Sequence, residues 1–400
     1  MDSKNRLPLG VGSMSKFVLQ WGGRAIALIF LVGIWWLPRP SFQVLLSPSL
    51  QRQVTLDPPQ TVFTNDPRLC VHTRLTDEVE EWKIQETLRM VREMGAPTIV
   101  EFFAWAYIET APEEYNWSHA DRIVKHAQNQ GLTIIARLGL VPTWVNEDTT
   151  DQIATLNLLP EEHFPTFAKF VGTFVERYQG QIEHIIIWNE PNLNFEWGNR
   201  PPDPIAYTEL LKQAYLAAKA ANPQVVVMNG ALAPTLAPAG GLEGGWNDLD
   251  FLRRMYEAGA ADYFDALAVH NYPFNMPPQS PPAPEVLNFR RIELWREIMR
   301  EYGDEDKFIY ITETGWNDHP RFQYSVTPHQ RIAYTLAALE MLPANYPYVK
   351  TLCIWQFRLP APTNSYPDYF TLVNVDFEPK PIYKALQDYA QAEQLSTSGH

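Results

Sequence analysis

Eight short apolar runs recur from residue 68 onward, each followed by a longer amphipathic stretch, and this alternation constrains the fold more than any other feature. The runs fall at 68–72, 97–103, 132–138, 182–189, 224–229, 264–270, 308–313 and 350–356. Helix-like segments follow them near 77–94, 118–130, 161–179, 204–221, 247–258, 285–301, 328–342 and 380–392. Runs such as Ile185-Ile186-Ile187-Trp188 and Val225-Val226-Val227-Met228 have no alternating polar face. Strands of that kind need cover on both sides, as in a parallel sheet flanked by helices. Eight strand–helix units in about 320 residues match an eightfold barrel. The competitor is a doubly wound open sheet, but no glycine fingerprint for a phosphate follows the first run. The expected fold is therefore an α/β chain, a (β/α)8 barrel over residues 68–400. Asp77, Ser118, Asp203-Pro204 and Thr327-Pro328 are expected to start helices, and Met94-Gly95 and Asn129-Gln130-Gly131 to end them.

Upstream of the barrel the composition changes. Residues 1–40 carry five cations against one anion, so the formal net charge of −14 leaves −18 on the remainder, with no basic stripe. Such a surface repels phosphate backbones, and nucleic acid is not an expected partner. The basic segment precedes the apolar run Ala25–Leu37. That order reads as an export signal. No small-x-small cleavage site follows Leu37, Arg24 can snorkel, and Trp35 and Trp36 suit an interface. Residues 1–37 are thus read as an uncleaved membrane anchor ahead of a removed signal peptide, with residues 38–67, rich in Pro, Gln and Ser, as a linker. Either way the rest of the chain is expected outside the cytoplasm.

In such a barrel the chemistry sits at the carboxyl ends of the strands. Two of those ends carry a glutamate directly after an apolar run: Glu190, in Ile187-Trp188-Asn189-Glu190-Pro191, and Glu313, in Ile311-Thr312-Glu313-Thr314. A carboxylate there is costly unless partnered. One alone could be a cap or a surface ion pair, but two pointing into one mouth suggest shared chemistry. By alternation Glu313 is expected inward with Ile309 and Ile311. Asn189 and Glu190 are adjacent, so a bulge or turn is needed for both to face the same way.

These residues resemble a known group. Trp-Asn-Glu-Pro at 188–191, His-Asn-Tyr-Pro at 270–273, Thr-Glu-Thr-Gly at 312–315 and Trp355 are similar to the motifs of clan A glycoside hydrolases, as is the ending Phe370–Asp376 followed by Lys380–Tyr383. Within the clan the resemblance is to families 39 and 5. The chain lacks the strand-2 arginine and strand-3 histidine usual in family 5, with Trp105 and Pro142-Thr143-Trp144 near those places. The resemblance implies a retaining β-glycosidase acting on an oligo- or polysaccharide, with Glu190 as acid/base and Glu313 as nucleophile. It further implies that Asn189 binds the sugar 2-hydroxyl, that Tyr272 donates to Glu313, that His270 binds sugar or orients this network, and that Trp355 forms a floor. His72, Glu101, Trp144 and Trp316 are further substrate-binding candidates.

Six tryptophans, at 105, 144, 188, 197, 316 and 355, fall at or just after predicted strand ends, as expected of platforms for sugar faces, although any of them could be packing. Cys70 and Cys353 both point inward by parity, on strands that adjoin on closure. Layering by alternate strands would offset them, so two buried thiols are expected. No His-Glu-x-x-His segment occurs and the nine histidines are scattered, so no metal or other cofactor is expected. The competing reading is a non-catalytic, envelope-tethered sugar-binding barrel. The presence of both carboxylates argues against it.

Overall fold

The computed structural model describes residues 54–146, 156–241 and 244–392. A compact unit begins at Thr55. The apolar run 25–37 and the first part of the expected linker lie outside the described residues, among which no helix is long and apolar enough to cross a membrane.

The eight apolar runs form strands β1 (Leu69–His72), β2 (Thr98–Ala104), β3 (Thr133–Gly139), β4 (His184–Ile187), β5 (Val226–Asn229), β6 (Leu267–His270), β7 (Ile309–Thr314) and β8 (Val349–Ile354). Their order is β5-β4-β3-β2-β1-β8-β7-β6, with every pairing parallel. Single parallel bridges, Met228 to Ala266 and Leu232 to Val269, close the remaining β5–β6 gap. Side chains complete that seam. Asn229 accepts from the Ala268 N–H (2.8 Å) and donates to the Ala268 carbonyl (3.1 Å), while the Asp265 carboxylate accepts from the Val227 N–H (2.7 Å). These replace ladder bonds that a buried strand edge would otherwise leave unmade.

Helices α1 (Glu81–Met94), α2 (Ser118–Asn129), α3 (Phe164–Arg177), α4 (Pro204–Ala221), α5 (Asp248–Glu257), α6 (Ile292–Glu301), α7 (Pro328–Asn345) and α8 (Pro381–Gln391) follow the strands in turn. Asp203 caps α4 by accepting from Ile205 and Ala206, and Thr327 with Gln330 makes a capping box on α7. Asp77, expected to start the first helix, lies a turn ahead of α1 and pairs with Arg74 instead (2.7 Å). The core has two layers. Cys70, Val100, Ile135, Ile186, Met228, Ala268 and Cys353 fill the barrel interior, and a larger cluster, including Ile309 and Ile311, packs strands against helices.

Three expectations are corrected here. Residues 55–67 are not a free tether. They run as a strap across the amino-terminal end of the barrel, where Gln60 N–H bonds the Asn129 carbonyl and Asn65 N–H the Ala390 carbonyl, both at 2.7 Å. The glycines at the ends of α1 and α2 permit this. A Cβ on Gly131 (φ +69°) would stand 2.6 Å from the Gln60 carbonyl, and one on Gly95 (φ +92°) 3.2 Å from that of Phe63. The cysteines are not thiols. Cys70 and Cys353 are register partners on adjacent strands and form a disulfide across 283 residues. Layering offsets side chains along the barrel axis, whereas hydrogen-bonded register partners on tilted neighbouring strands remain side by side. Finally, Ile309 and Ile311 face the helices, so simple alternation from them would point Glu313 outward.

Candidate active site

Both glutamates reach the cavity through irregular backbone. Beyond Ile311, β7 carries one extra residue relative to each neighbour. Ile311 pairs with Val269 and Leu352, but the next partners are Glu313 with His270 and Thr314 with Ile354. This bulge at Thr312 reverses the alternation and turns Glu313 from the helix side into the barrel mouth. At the end of β4, Trp188 and Glu190 adopt φ of +80° and +39°. Left-handed conformations in non-glycine residues cost about 1–3 kcal/mol each and concentrate at functional sites. Here they let the adjacent Asn189 and Glu190 both line one cavity of about 540 Å³. The Glu190 N–H is held by the Ala231 carbonyl (3.1 Å) and the Trp188 N–H by that of Leu138 (2.8 Å).

Within the cavity a carboxylate oxygen of Glu190, one of Glu313 and a ring nitrogen of His270 all lie within 4.8 Å of one another. His270 is buried between them, 2.7 Å from Glu190 Oε1 and 3.7 Å from Glu313 Oε2. Burial alone would lower its pKa, but the charges of Glu313 and Glu190 outweigh burial and raise it. Glu313 accepts from Tyr272 Oη (2.8 Å) and Arg137 Nη1 (3.1 Å). His72 Nε2 stands 3.3 Å from Oε1, the oxygen that Arg137 also reaches. Burial would push Glu313 up. His270, His72, Arg137 and the Tyr272 hydroxyl together reverse this and hold it at about 2. Burial brings His72 itself down to about 3, and its Nδ1 is committed to the Thr73 carbonyl (2.9 Å). His72 is therefore neutral at neutral pH, Arg137 is the fixed cation facing Glu313, and His270 is shifted toward its charged form. Burial and the Glu313 charge keep Tyr272 protonated far into alkaline pH.

Asn189, Glu190, Tyr272, Glu313 and Trp355 line the cavity. His72 and His270 lie beneath it, touching the carboxylates. Three candidates are elsewhere. Glu101 is fully buried and accepts from Thr73 Oγ1 (2.5 Å) and the N–H groups of Leu75 and Thr76 (both 3.0 Å), so it anchors the loop after β1. Trp144 packs edge-on against Trp105 and donates to the Glu109 carbonyl (2.9 Å). Trp316 is buried between Phe289 and Tyr334, donating to the Met276 carbonyl (2.8 Å). Trp105, Trp188 and Trp197 are buried as well, because indoles are large enough to fill the strand–helix gap. The aromatic walls are instead Phe195, Phe274, Phe322, Tyr324, Tyr366 and Phe370 around Trp355.

Two charged residues that bond Asn189 in the cavity were not foreseen. Arg137 on β3 donates to Asn189 Oδ1 (2.6 Å) as well as to Glu313, and rests on the Phe102 ring. Its signal was available: it stands two residues after Ile135, hence inward, as a lone cation in an apolar strand. Glu196, in the loop after β4, accepts from Asn189 Nδ2 (2.9 Å) and Asn157 Nδ2 (3.0 Å). Burial first, then the Glu190 charge, pushes it up to about 7. No sequence pattern marks it.

A model of glycosyl hydrolase family 10 matches residues 69–229, which run from β1 to β5. No curated protein sequence matches. Among solved structures, a family 39 glycoside hydrolase from Bacteroides cellulosilyticus WH2 superposes with a TM-score of 0.65 at 22% identity, covering 84% of this chain. This chain spans 66% of that protein's length. A family 39 β-xylosidase from Caulobacter crescentus gives 0.59 at 19%, covering 83% of this chain and 72% of its own. Xylanase 10B from Thermotoga maritima gives 0.52 at 17%, covering 80% and 94%. The fold is that of the clan A glycoside hydrolases.

Proposed function

We propose that this clan A barrel is a retaining glycoside hydrolase, cleaving β-linked sugars by double displacement with Glu190 as acid/base and Glu313 as nucleophile. The observation that carries the reading is the pair of carboxylates within 4.8 Å in one cavity. Retaining enzymes hold theirs roughly 5–5.5 Å apart, and inverting ones leave roughly 6.5–9.5 Å for a water. The electrostatics support the division of labour. Glu313 is ionised throughout the working range, as a nucleophile requires. Glu190 protonates the glycosidic oxygen as a Glu313 oxygen bonds the anomeric carbon and the aglycone departs. Glu190, now ionised, takes a proton from water, whose oxygen attacks the anomeric carbon and releases Glu313. His270, hydrogen-bonded to Glu190, is a positioning residue for this exchange.

Arg137 presents its positive charge to Glu313 at 3.1 Å, which disfavours a bound cation there and supports a metal-free reaction. A carbohydrate substrate also fits an apolar floor at Trp355 beside clustered polar groups. We further read residues 1–37 as an export signal or membrane anchor facing the domain outward. The Cys70–Cys353 disulfide supports this, since such bonds persist in oxidising compartments.

The test is an aryl β-glycoside and glycan panel with products resolved by anomer. Retention is expected, with Glu313→Gln inactive. Glu190→Ala should keep activity only on substrates with good leaving groups, and azide should restore turnover by giving a β-glycosyl azide. Inverted product, or wild-type turnover of Glu313→Gln, overturns the proposal.

A further inference from the structure

The cavity holds a third carboxylate for which the two-glutamate mechanism has no use. Glu196 lies in the loop between β4 and α4, and that loop is fixed from below. Trp188 Nε1 donates to the Glu196 carbonyl (2.7 Å), Trp197 is buried next to it, and Asn194 ties the loop to the Gly241 carbonyl (2.7 Å). The side chain lines both the main cavity and an adjoining chamber of about 180 Å³, shared with Arg74, Arg137, Asn157 and Asn189. The carboxylate is therefore held in place, and it faces a defined set of groups. These are Asn157 ahead of α3, Asn189 and Glu190 after β4, Arg137 on β3, Arg74 after β1 and, further off, Glu313 on β7.

The hydrogen bonds form one chain: Glu196 accepts from Asn189 (2.9 Å), Asn189 accepts from Arg137 (2.6 Å), and the same Arg137 nitrogen donates to Glu313 (3.1 Å). An arginine can only donate and an ionised glutamate can only accept. Between them they fix which way the Asn189 amide points, and leave one of its N–H groups for a ligand. From this we infer that Glu196 is a positioning residue, whose negative charge locks the Asn189 amide in its substrate-binding orientation and feeds through Arg137 to the nucleophile. The inference rests on the glycosidase reading, in which Asn189 meets the sugar. Protonating Glu196 removes the charge assistance from its bond to Asn189, and charge-assisted bonds are roughly twice as strong as neutral ones. The site is thus at its best only when Glu196 is ionised.

Glu196→Gln keeps the size and an acceptor oxygen but holds the uncharged state at every pH. With a dinitrophenyl glycoside, whose departure needs no acid, wild-type kcat/KM is expected to rise about fivefold from its acid plateau to its alkaline plateau. The midpoint should lie near the raised Glu196 value of about 7. In Glu196→Gln the profile should stay at the low wild-type plateau, so the variant is about fivefold slower at pH 8 and the loss should fall in KM as well as kcat. Glu196→Asp should restore a pH-dependent rise. A flat wild-type profile, or a rise that survives in Glu196→Gln, overturns the inference. A readout that needs no turnover separates this from failure of the glycosidase reading. In protein labelled with 13C at the glutamate carboxyls, one resonance should titrate near pH 7 and be missing from Glu196→Gln. If no glycoside is cleaved yet that resonance titrates, the functional reading has failed. If cleavage occurs and no such resonance exists, the role of Glu196 has failed.

Discussion

Replacing Arg137 by methionine tests the electrostatics of the site directly. Methionine keeps most of the side-chain volume against Phe102 and removes the charge. In the native site the guanidinium reaches Glu313 at 3.1 Å and Asn189 at 2.6 Å. At an effective dielectric of 20, Coulomb attraction at about 3 Å is roughly 5 kcal/mol, an upper bound because the Arg137 side chain retains some solvent contact. Opposite charges at this range lower a carboxylate by about 1–3 pKa units in practice. Without Arg137, Glu313 should therefore rise from about 2 to roughly 3–5. The sign follows: a nucleophile with a depressed pKa works at every pH above it, so raising that value moves the acid limb of kcat/KM upward. Below the step near pH 7 assigned to Glu196, wild type should show no second acid limb down to the pH at which it unfolds, and the variant should show one between about 3 and 5. Lost hydrogen bonds to a charged partner and to Asn189 should cost about 3–4 kcal/mol in kcat/KM above the limb, or roughly 10²–10³-fold. The assay is kcat/KM against pH on an activated aryl glycoside, with each point limited to a pH at which the protein is folded. An unshifted acid limb together with a loss below tenfold would refute the reasoning.

Two further predictions concern stability. Cys70→Ala/Cys353→Ala should unfold at lower guanidinium concentration, since loop closure over 283 residues is worth about 2–5 kcal/mol; reductant should destabilise wild type and leave the double variant unchanged, and equal midpoints for the two proteins would count against the bridge. His72, whose folded pKa is brought to about 3 from 6.5, binds its proton more weakly in the native state, so its contribution falls as pH drops below 6.5 by at most about 1.4 kcal/mol per pH unit. His72→Asn should then show a shallower loss of stability between pH 6 and 4, and parallel curves would contradict this account.

Much of the fold could be read in the chain because continuous apolar runs announce parallel strands, and all eight fell within a few residues of their observed positions. Asp203-Pro204 and Thr327-Pro328 start their helices by local hydrogen bonds that need no tertiary context. What failed was whatever depends on position across strands. The Cys70–Cys353 bridge is a matter of register, which one strand's alternation does not contain. Glu313 does face inward, but for a reason that period-two counting misses, because a bulge leaves no mark in Ile311-Thr312-Glu313. Tryptophans at strand ends were ambiguous for a different reason: the same surface area that stacks on a sugar also fills a core, and Trp105, Trp144 and Trp316 went to packing. Arg137 was legible as a misplaced cation, while Glu196 owes its environment to long-range folding alone.

The bulge at Thr312 and the left-handed residues at Trp188 and Glu190 also bear on how such a scaffold can change. The direction in which each carboxylate points is set by a local kink, while the distance between the strands that carry them is set by the size and tilt of the barrel. A one-residue deletion within β7 would swing its acidic side chain out among the helices and end the chemistry while leaving the architecture standing. The aim of the two acidic side chains and the architecture that carries them are in this sense written in separate places along the chain.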